Sequence, residues 1–214
     1  MIHEPIYCLA MILVRFFSPA LLVCILSLAF GAGLRAAPAD DAQAALVCGI
    51  DEVSTSLRAH PAQKDLIAFL DTLVEKHFAF ATTTRLSIGP AWRDLTPEQQ
   101  AHLTTLFSQL VIRTYADRFT SQTPPVVTYG SPKELRGSRI EIPTRVVTDG
   151  QTYSISYRLD LDTASKRWRI YDIVAEGVSL ISNYRSQFEP ILHRSGVTGL
   201  IQTLETKVAD TSAR

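Results

Sequence analysis

The sequence contains few of the residues on which metal binding and common enzyme chemistry depend. Its 214 residues include three cysteines, five histidines, two methionines and two tryptophans. No two histidines have the His-x3-His spacing of a helical zinc site. The chain also lacks a Gly-x-Ser-x-Gly nucleophile elbow and a P-loop. These absences argue against a zinc enzyme, an α/β-hydrolase and a nucleotide hydrolase.

Net charge is absent as well. Lysine and arginine together number 21, and aspartate and glutamate together also number 21. A nucleic-acid-binding domain usually shows a basic excess or a basic stripe. The short clusters Lys133–Arg139 and Lys166–Arg169 are interleaved with apolar residues, so we interpret them as solvated strand ends. We therefore expect no nucleic-acid partner.

The sequence lacks an apolar run long enough to cross a bilayer. Arg15 precedes the apolar run Phe16–Phe30, which is shorter than the ~20 residues of a spanning helix. Ala37-Pro38-Ala39 then fits the small-x-small pattern of a signal-peptidase site. We interpret residues 1–39 as a secretory signal peptide, with Met11 as a possible start and an uncleaved anchor as the alternative. Residues 40–208 then form one domain, and residues 209–214 a frayed tail.

The signal-peptide interpretation determines which cysteines remain in the mature chain. Cys8 and Cys24 would leave with the signal peptide, so Cys48 would remain alone and no internal disulfide could form. We predict that Cys48 is a small buried apolar residue on a helix, with a reactive thiol as the alternative.

Helical periodicity dominates the first half of the chain. Leu46, Ile50, Val53 and Leu57 form one stripe of a predicted helix over Asp41–Leu57. Pro61 suits the first turn of a second helix, whose stripe ends at His77, interpreted as a structural histidine. A third helix is predicted from Thr96 to about Phe119. In it Thr96 and Gln99 form a capping box around Pro97.

After Pro125 the apolar residues recur at every second position instead of every third or fourth, which predicts antiparallel strands. Asp149-Gly150 is a hairpin turn signal, and Pro143 indicates an edge, a bulge or a bend. After Gly177 the pattern is helical again, with a break at Gly196. The predicted strands are Val126–Tyr129, Arg139–Val147, Thr152–Leu161 and Trp168–Ala175. Helices followed by strands favour an α+β fold, with helices packed on a strongly twisted antiparallel sheet of about four strands.

One carboxylate stands out within this pattern. Asp172 lies between apolar residues of the last strand, so we expect it to point inward and to pair with Arg169 or Arg185. A structural ion pair is the preferred interpretation. The alternative is a hydrolase that uses Asp172 or a histidine as general acid or base.

Apolar residues are abundant, at 46% of the chain. A sheet rich in Ile, Val, Tyr and Leu can close completely against amphipathic helices, or it can leave a tunnel suited to an acyl chain. Periodicity does not distinguish a filled core from such a cavity, and composition alone favours the filled core. A structural subunit with a filled core is therefore one hypothesis, and a lipid carrier is another.

Four stretches carry a resemblance to a known family. They are RLSIGPAWRDLTPEQQ (Arg85–Gln100), LVIRTYADRF (Leu110–Phe119), YRLDL (Tyr157–Leu161) and WRIYDIVAEGVSLISNYRSQFEPIL (Trp168–Leu192). Together they resemble the MlaC family of periplasmic phospholipid-binding proteins, also called toluene-tolerance proteins. The resemblance extends over about residues 41–208.

The resemblance implies a mixed helix–sheet fold of NTF2-like outline, with a deep apolar cavity between the layers. It also implies a monomeric periplasmic carrier that binds phospholipid as its ligand, needs no cofactor and is not an enzyme. Its partners would be an outer-membrane lipoprotein complex and an inner-membrane ABC transporter complex, and docking on them would be transient. Lipid exchange between these partners would maintain outer-membrane asymmetry.

The chain departs from the family pattern at two places. The family often has Phe-Asp-Phe where this chain has Phe78-Ala79-Phe80, and a methionine that is common in that helix is replaced within Thr82-Thr83-Thr84. Both changes affect the pocket shape expected near this helix. A branch of the family that is associated with hopanoid synthesis is the alternative identity.

The resemblance and the periodicity together suggest which residues line a lipid cavity and which form a polar seam beside it. Each predicted cavity residue is apolar or aromatic, and each has plain core packing as its alternative. We expect the polar seam to consist of Asp172, Asn183 and Arg185. The predicted cavity residues are Leu106, Leu110, Val111, Tyr115, Ile142, Val146, Ile155, Tyr157, Tyr171, Ile173, Val178, Ile181, Tyr184 and Phe188.

Overall fold

The structure is a computed structural model that describes residues 38–59, 70–73, 75–116 and 125–212. Residues 1–37 of the predicted signal peptide lie outside these residues. So do the predicted helix start at Pro61, the helix end at Phe119 and the last two residues of the predicted tail. Within the described residues, no helix is both long and apolar enough to span a bilayer.

Four helices and one 3-10 turn carry most of the apolar stripes. Residues 70–73 and 75–77 are also helical. Helices α2, α3 and α4 pack on one another, whereas α1 packs on the sheet. The helical elements are α1 (Pro38–Ala59), α2 (Phe80–Ile88), a 3-10 turn (Gly89–Asp94), α3 (Pro97–Ala116) and α4 (Leu180–Ser212).

The predicted capping box at the start of α3 is confirmed. The Gln99 backbone N–H donates to Thr96 Oγ1 at 3.3 Å, and the Thr96 backbone N–H donates to Gln99 Oε1 at 3.0 Å. Two N–H groups that a helix start would otherwise leave unpaired are therefore satisfied.

The sheet is antiparallel and has six strands. This confirms the α+β fold class, and all four predicted strands are present among the described residues, together with two short ones that were not predicted. The two additional strands are β2 and β6, with three and two residues, which is too short to produce an alternating pattern. The strands are β1 (Val126–Tyr129), β2 (Lys133–Leu135), β3 (Arg139–Thr148), β4 (Gln151–Asp162), β5 (Arg167–Ala175) and β6 (Val178–Ser179).

Pro143 lies at a gap in the sheet edge, as its sequence suggested. Strand β1 pairs with residues 144–147 of β3, and β2 pairs with residues 139–141. Between them the chain turns at Gly130, whose backbone N–H donates to the Pro143 carbonyl at 2.8 Å. A Cβ on Gly130 would lie 3.0 Å from Pro143 Cγ, so glycine permits the close approach.

The β3–β4 hairpin turns at Asp149-Gly150, as predicted. Asp149 has φ of 48° and Gly150 has φ of 73°, the left-handed pair that a two-residue type I′ turn requires. Along β3 and β4 the register is uninterrupted from Arg139 opposite Asp160 to Thr148 opposite Gln151.

Strand β5 contains a β-bulge at Tyr171. Ile170 pairs with Leu159, and Asp172 pairs with the adjacent Arg158, so Tyr171 has no partner on β4. The bulge shifts the alternation by one residue. As a result Ile170 and Ile173 share one face of the sheet, and Asp172 lies on the other face.

Helix α4 is divided at Gly196, where φ is 61° and ψ is −165°. This confirms the predicted break. Helix α4 continues through Ser212, so residues 209–212 of the predicted frayed tail are helical. There Thr211 Oγ1 donates to the Lys207 carbonyl at 3.0 Å.

Two separate groups of apolar side chains form the interior. In the sheet core, Ala42 and Leu46 of α1 pack on the sheet. In the helical core, the buried faces of α2, α3 and α4 meet one another. The sheet core contains Ala42, Leu46, Ile140, Ile142, Leu159 and Ile170. The helical core contains Ile88, Leu95, Leu103, Leu106, Phe107, Leu110, Tyr184, Phe188, Leu200, Leu204 and Val208.

Candidate functional site

The apolar face of the sheet consists of four rows of side chains that run across the strands. Residues paired directly across strands share a face, so the register defines each row. Helix α1 packs with the first row and with Ile142 of the second, and the half-buried Tyr129, Tyr157 and Ile173 pack against the same cluster. From the first row to the fourth, the rows are Ile140–Leu159–Ile170, Ile142–Tyr157–Ile173, Tyr129–Thr144–Ile155 and Val127–Val146–Tyr153.

Burial decreases along these rows. All three side chains of the first row are buried. In the second row Ile142 is buried, but Tyr157 and Ile173 are only half-buried. In the third and fourth rows only the β3 residue is buried, and Tyr153 is 40% exposed. The apolar surface of the sheet is therefore larger than the part that is fully covered.

Tyr157 combines close protein surroundings with accessible surface. Burial, together with the nearby Tyr129, raises the pKa of Tyr157 to about 12. Its side chain is nevertheless only half-buried. Tyr157 therefore packs against the sheet core while part of its side chain remains accessible to solvent.

Four predicted cavity residues lie within the helical core. Leu106, Leu110, Tyr184 and Phe188 are all buried there around Phe107. The Phe107 ring lies edge-on to Tyr184, with centroids 4.7 Å apart, and edge-on to Phe188, with centroids 5.3 Å apart. These residues pack closely on one another, and the structure does not bring them together with the half-buried rows of the sheet.

Two predicted residues of α3 are half-buried. Val111 packs against the helical core from its edge. Tyr115 is near Tyr184, whose pKa is raised mainly by burial and also by Tyr115. These two side chains are the members of the predicted α3 set that retain accessible surface.

The remaining predicted residues differ in exposure. Tyr171 is buried at the bulge, where the Arg139 guanidinium lies 4.6 Å from its ring centroid. Ile181 is buried at the start of α4. Val178 is 60% exposed. It lies on the short edge strand β6, directly before α4 begins.

Asp172 is buried, as predicted, but its partner is a different arginine. Its Oδ2 lies 3.0 Å from Nη1 of Arg158 and accepts from the Ser179 hydroxyl at 2.7 Å. Its Oδ1 accepts from the backbone N–H of Ile181 at 3.1 Å. The predicted pairing with Arg169 or Arg185 is therefore wrong. The β-bulge placed Asp172 opposite Arg158, and the strand pattern alone did not reveal that register.

The other two residues of the predicted polar seam face away from Asp172. Nε of Arg185 donates to the Leu86 carbonyl at 3.1 Å, and Nη2 donates to the same oxygen, so Arg185 joins α4 to the end of α2. Asn183 is exposed, and its backbone carbonyl accepts from the Ser186 hydroxyl at 2.7 Å.

Helix α2 contributes hydroxyl groups that the sequence analysis did not assign to any role. Thr83 Oγ1 donates to the Tyr171 carbonyl at 2.8 Å, and the Ala79 N–H donates to the Ile170 carbonyl at 2.8 Å. These two bonds join α2 to the edge of β5. Thr84 donates to the Phe80 carbonyl, and Ser87 Oγ is buried without a partner among the described residues. In the sequence, the signal for these hydroxyl groups was the run Thr82-Thr83-Thr84.

Cys48 is exposed, so the prediction of a buried cysteine is wrong. Leu46 points toward the sheet, and a residue two positions further along a helix lies about 200° away from it. Cys48 instead lines an open groove along α1, together with the carboxylates of Asp51 and Glu52. None of the predicted cavity residues lines this groove.

His77 has the structural role that the sequence suggested. Its Nε2 lies 2.8 Å from Glu52 Oε2, so it joins the helical residues 75–77 to α1. Glu52 also accepts from Lys76 Nζ at 2.7 Å. Across the ranges that the structure covers, no three His, Cys, Asp or Glu side chains are placed to hold a metal ion.

Comparison with known proteins gives consistent matches. A family described as MlaC protein matches residues 49–206. The intermembrane phospholipid transport system binding protein MlaC of Haemophilus influenzae is 23% identical over 121 residues, which are 55% of this chain and 56% of that protein. The chain thus spans about half the length of this curated relative.

A solved structure matches over more of the chain. It is a phospholipid-binding protein from Ralstonia solanacearum, determined in complex with a phospholipid. The two structures superpose with a TM-score of 0.74 at 27% sequence identity. The match covers 80% of this chain and 99% of the other.

Proposed function

The chain belongs to the MlaC family, and from this premise we propose that it is a phospholipid carrier and not an enzyme. The observation that carries the proposal is the likeness to a relative solved with a phospholipid bound, which extends over 99% of that relative. The half-buried apolar rows of the sheet support it, because they offer acyl chains a surface that the helices do not fully cover.

The proposed lipid contacts are the half-buried members of the predicted set, which lie on two separate surfaces, one on α3 and one on the sheet. They are Val111 and Tyr115 on α3 and Ile155, Tyr157 and Ile173 on the sheet. We assign the buried residues to the packing beneath these two surfaces. These supporting residues are Leu106, Leu110, Ile142, Val146, Tyr171, Ile181, Tyr184 and Phe188.

The energetics of acyl chains suit a carrier that both loads and releases lipid. Transfer of one buried methylene from water is worth ~0.8 kcal/mol, so two long chains would exceed the usual affinity ceiling of ~20 kcal/mol. The lipid, however, comes from a bilayer whose interior is equally apolar. The net free energy of transfer is therefore near zero, and the partners can set the direction of transport.

The proposed setting is the periplasm. The carrier would exchange phospholipid between an inner-membrane ABC transporter complex and an outer-membrane lipoprotein complex, and so maintain outer-membrane asymmetry. The name of the Haemophilus influenzae relative, an intermembrane transport system binding protein, supports this proposal. We propose that it acts as a monomer, with the predicted signal peptide directing export.

Native mass spectrometry of the purified protein tests the proposal. We expect co-purified phospholipid, which solvent extraction should also recover. Ile155→Trp should lower this lipid occupancy severalfold at little cost in stability, because Ile155 is half-buried in the third row. The matched variant Ile142→Trp should instead destabilise the fold by ~1–3 kcal/mol, because Ile142 is fully buried in the sheet core.

The pair of variants also separates a carrier from a structural subunit with a filled core. In a filled core, both tryptophans would overpack the interior and lower stability to a similar degree. Protein that carries no lipid, with none recovered by extraction, would rule out the proposed function.

A further inference from the structure

Tyr157 lies at the boundary between the fully buried and the half-buried parts of the apolar face. Its row neighbours are Ile142 on β3 and Ile173 on β5. The buried first row lies on one side of it, and the half-buried third row, which contains Tyr129, lies on the other. A lipid chain that extends along the half-buried rows would therefore pass the Tyr157 side chain.

The Tyr157 hydroxyl is a hydrogen-bonding group in mainly apolar surroundings. Within the described part of the chain, no hydrogen-bond partner is found for it or for the hydroxyl of Tyr129. A lipid chain laid over this half-buried hydroxyl would remove its water. Leaving it unpaired would then cost about 1–3 kcal/mol, and a ligand atom can supply the missing bond.

We propose that the Tyr157 hydroxyl donates a hydrogen bond to an ester carbonyl oxygen of the bound lipid. The inference rests on the proposed function, and it assigns a specificity role to a residue that would otherwise be an apolar wall. The recognised chemistry is the acyl ester, which diacyl phospholipids carry and diether lipids lack.

The surroundings favour a neutral acceptor over a phosphate. Because burial holds the pKa of Tyr157 far above neutral pH, the hydroxyl keeps its proton and can donate. Besides burial, the Asp51 carboxylate raises the pKa of the neighbouring Tyr129, so a negative charge already acts at this position. A phosphate placed here would be repelled by that charge, whereas an ester carbonyl carries no net charge.

A competition between two matched lipids tests the proposal. The probes are a phosphatidylcholine with two ester-linked palmitoyl chains and the diether analogue with the same chain length and headgroup. Native mass spectrometry measures the occupancy of each lipid on the purified protein. We expect the native sequence to prefer the ester lipid by about threefold to tenfold, the usual effect of one neutral hydrogen bond.

The variant Tyr157→Phe should still bind both lipids, but its ratio of ester-lipid to diether-lipid occupancy should fall close to one. The matched control is Tyr153→Phe, on the same strand and the same face but 40% exposed, which should keep the preference. In the infrared spectrum, a ¹³C-labelled ester carbonyl should shift to lower frequency when it accepts the bond. The Tyr157→Phe variant should lose that shift.

The outcomes distinguish this inference from the proposed function. If lipid binds but the native sequence shows no ester preference, or if Tyr157→Phe retains that preference, the assignment of Tyr157 is wrong and the carrier function stands. If neither lipid binds to any variant, the carrier function itself fails, and the assignment fails with it.

Discussion

Arg158 and Asp172 form an ion pair across β4 and β5, with Nη1 and Oδ2 3.0 Å apart. The Asp172 side chain is 2% exposed and the Arg158 side chain 33%. The same carboxylate accepts hydrogen bonds from Ser179 and from the first turn of α4. One buried charge therefore joins two strands of the sheet to the start of the last helix.

Removal of Arg158 should destabilise the fold. Arg158→Met would leave Asp172 buried with only neutral donors, and we expect a loss of about 2–3 kcal/mol. This is less than the ~3–5 kcal/mol of a fully buried pair, because Arg158 is partly solvated. Urea unfolding measures the change. The control Arg145→Met removes an exposed arginine from the neighbouring strand and should cost far less. Equal losses would contradict the role of the pair.

The bond between Thr83 and the Tyr171 carbonyl can be tested by comparison with the next residue. Thr83→Val should destabilise the fold by about 1–2 kcal/mol more than Thr84→Val does. Both threonines are buried on α2, but only Thr83 bonds to the sheet, whereas Thr84 bonds within its own helix. Thermal unfolding of the two variants measures the difference. A smaller loss for Thr83→Val than for Thr84→Val would show that α2 is held to β5 by other contacts.

The capping box at the start of α3 should contribute measurably. Thr96→Ala should cost about 1 kcal/mol. The double variant with Gln99→Ala should cost less than the sum of the single variants, because the two bonds are reciprocal. Urea unfolding of all three variants gives the coupling energy. Thr105→Ala, at an exposed position within α3, serves as the control and should not couple to Gln99→Ala.

Glu52 should make the stability dependent on acidic pH. The hydrogen bond with Lys76, and to a smaller degree the one with His77, lower the pKa of the Glu52 carboxyl below its ordinary value of 4.5. A carboxylate with a lowered pKa in the folded state stabilises the fold above its unfolded pKa, and the contribution is lost as the pH falls through the folded value. Glu52→Gln should therefore lower the Tm at neutral pH, and the difference should shrink below pH 4.5. Glu75→Gln, at an exposed neighbouring position, should show no such convergence.

Tyr157 should have the opposite effect at alkaline pH. Its pKa is raised from 10.0 to about 12, so the unfolded chain releases this proton at lower pH than the folded protein does. The stabilising contribution is present below pH 10 and is lost as the pH rises toward 12. Burial also raises the pKa values of Tyr129, Tyr171 and Tyr184, so the measurement is the difference in tyrosinate absorption between the native sequence and Tyr157→Phe. That difference should titrate near pH 12. A difference that titrates near pH 10 instead would mean that Tyr157 is freely solvated.

Local features were readily predicted from the sequence. Thr96 with Gln99, Asp149-Gly150 and Gly196 were all assigned correctly, because each depends on a few adjacent residues whose backbone preferences are strong. The α+β class also followed from the change of hydrophobic period. These signals need no knowledge of which distant residues meet.

Long-range placement was predicted less well. The partner of Asp172 depends on a one-residue shift at Tyr171, and an alternating pattern cannot show where a bulge lies. Cys48 was judged from its residue type, although its angular distance from Leu46 determines its exposure. The cavity residues were chosen for apolar character, which is the same for the closely packed Phe188 and the half-buried Ile155.

The gap at Pro143 limits how the edge of the sheet can pair with a strand of another protein chain. An uninterrupted strand at this edge would offer a long row of unpaired N–H and C=O groups, on which another chain could add a strand. The turn at Gly130 instead divides the edge into β1, with four residues, and β2, with three. Segments this short are poor templates for intermolecular sheet growth, so the interruption protects the edge of the sheet against aggregation.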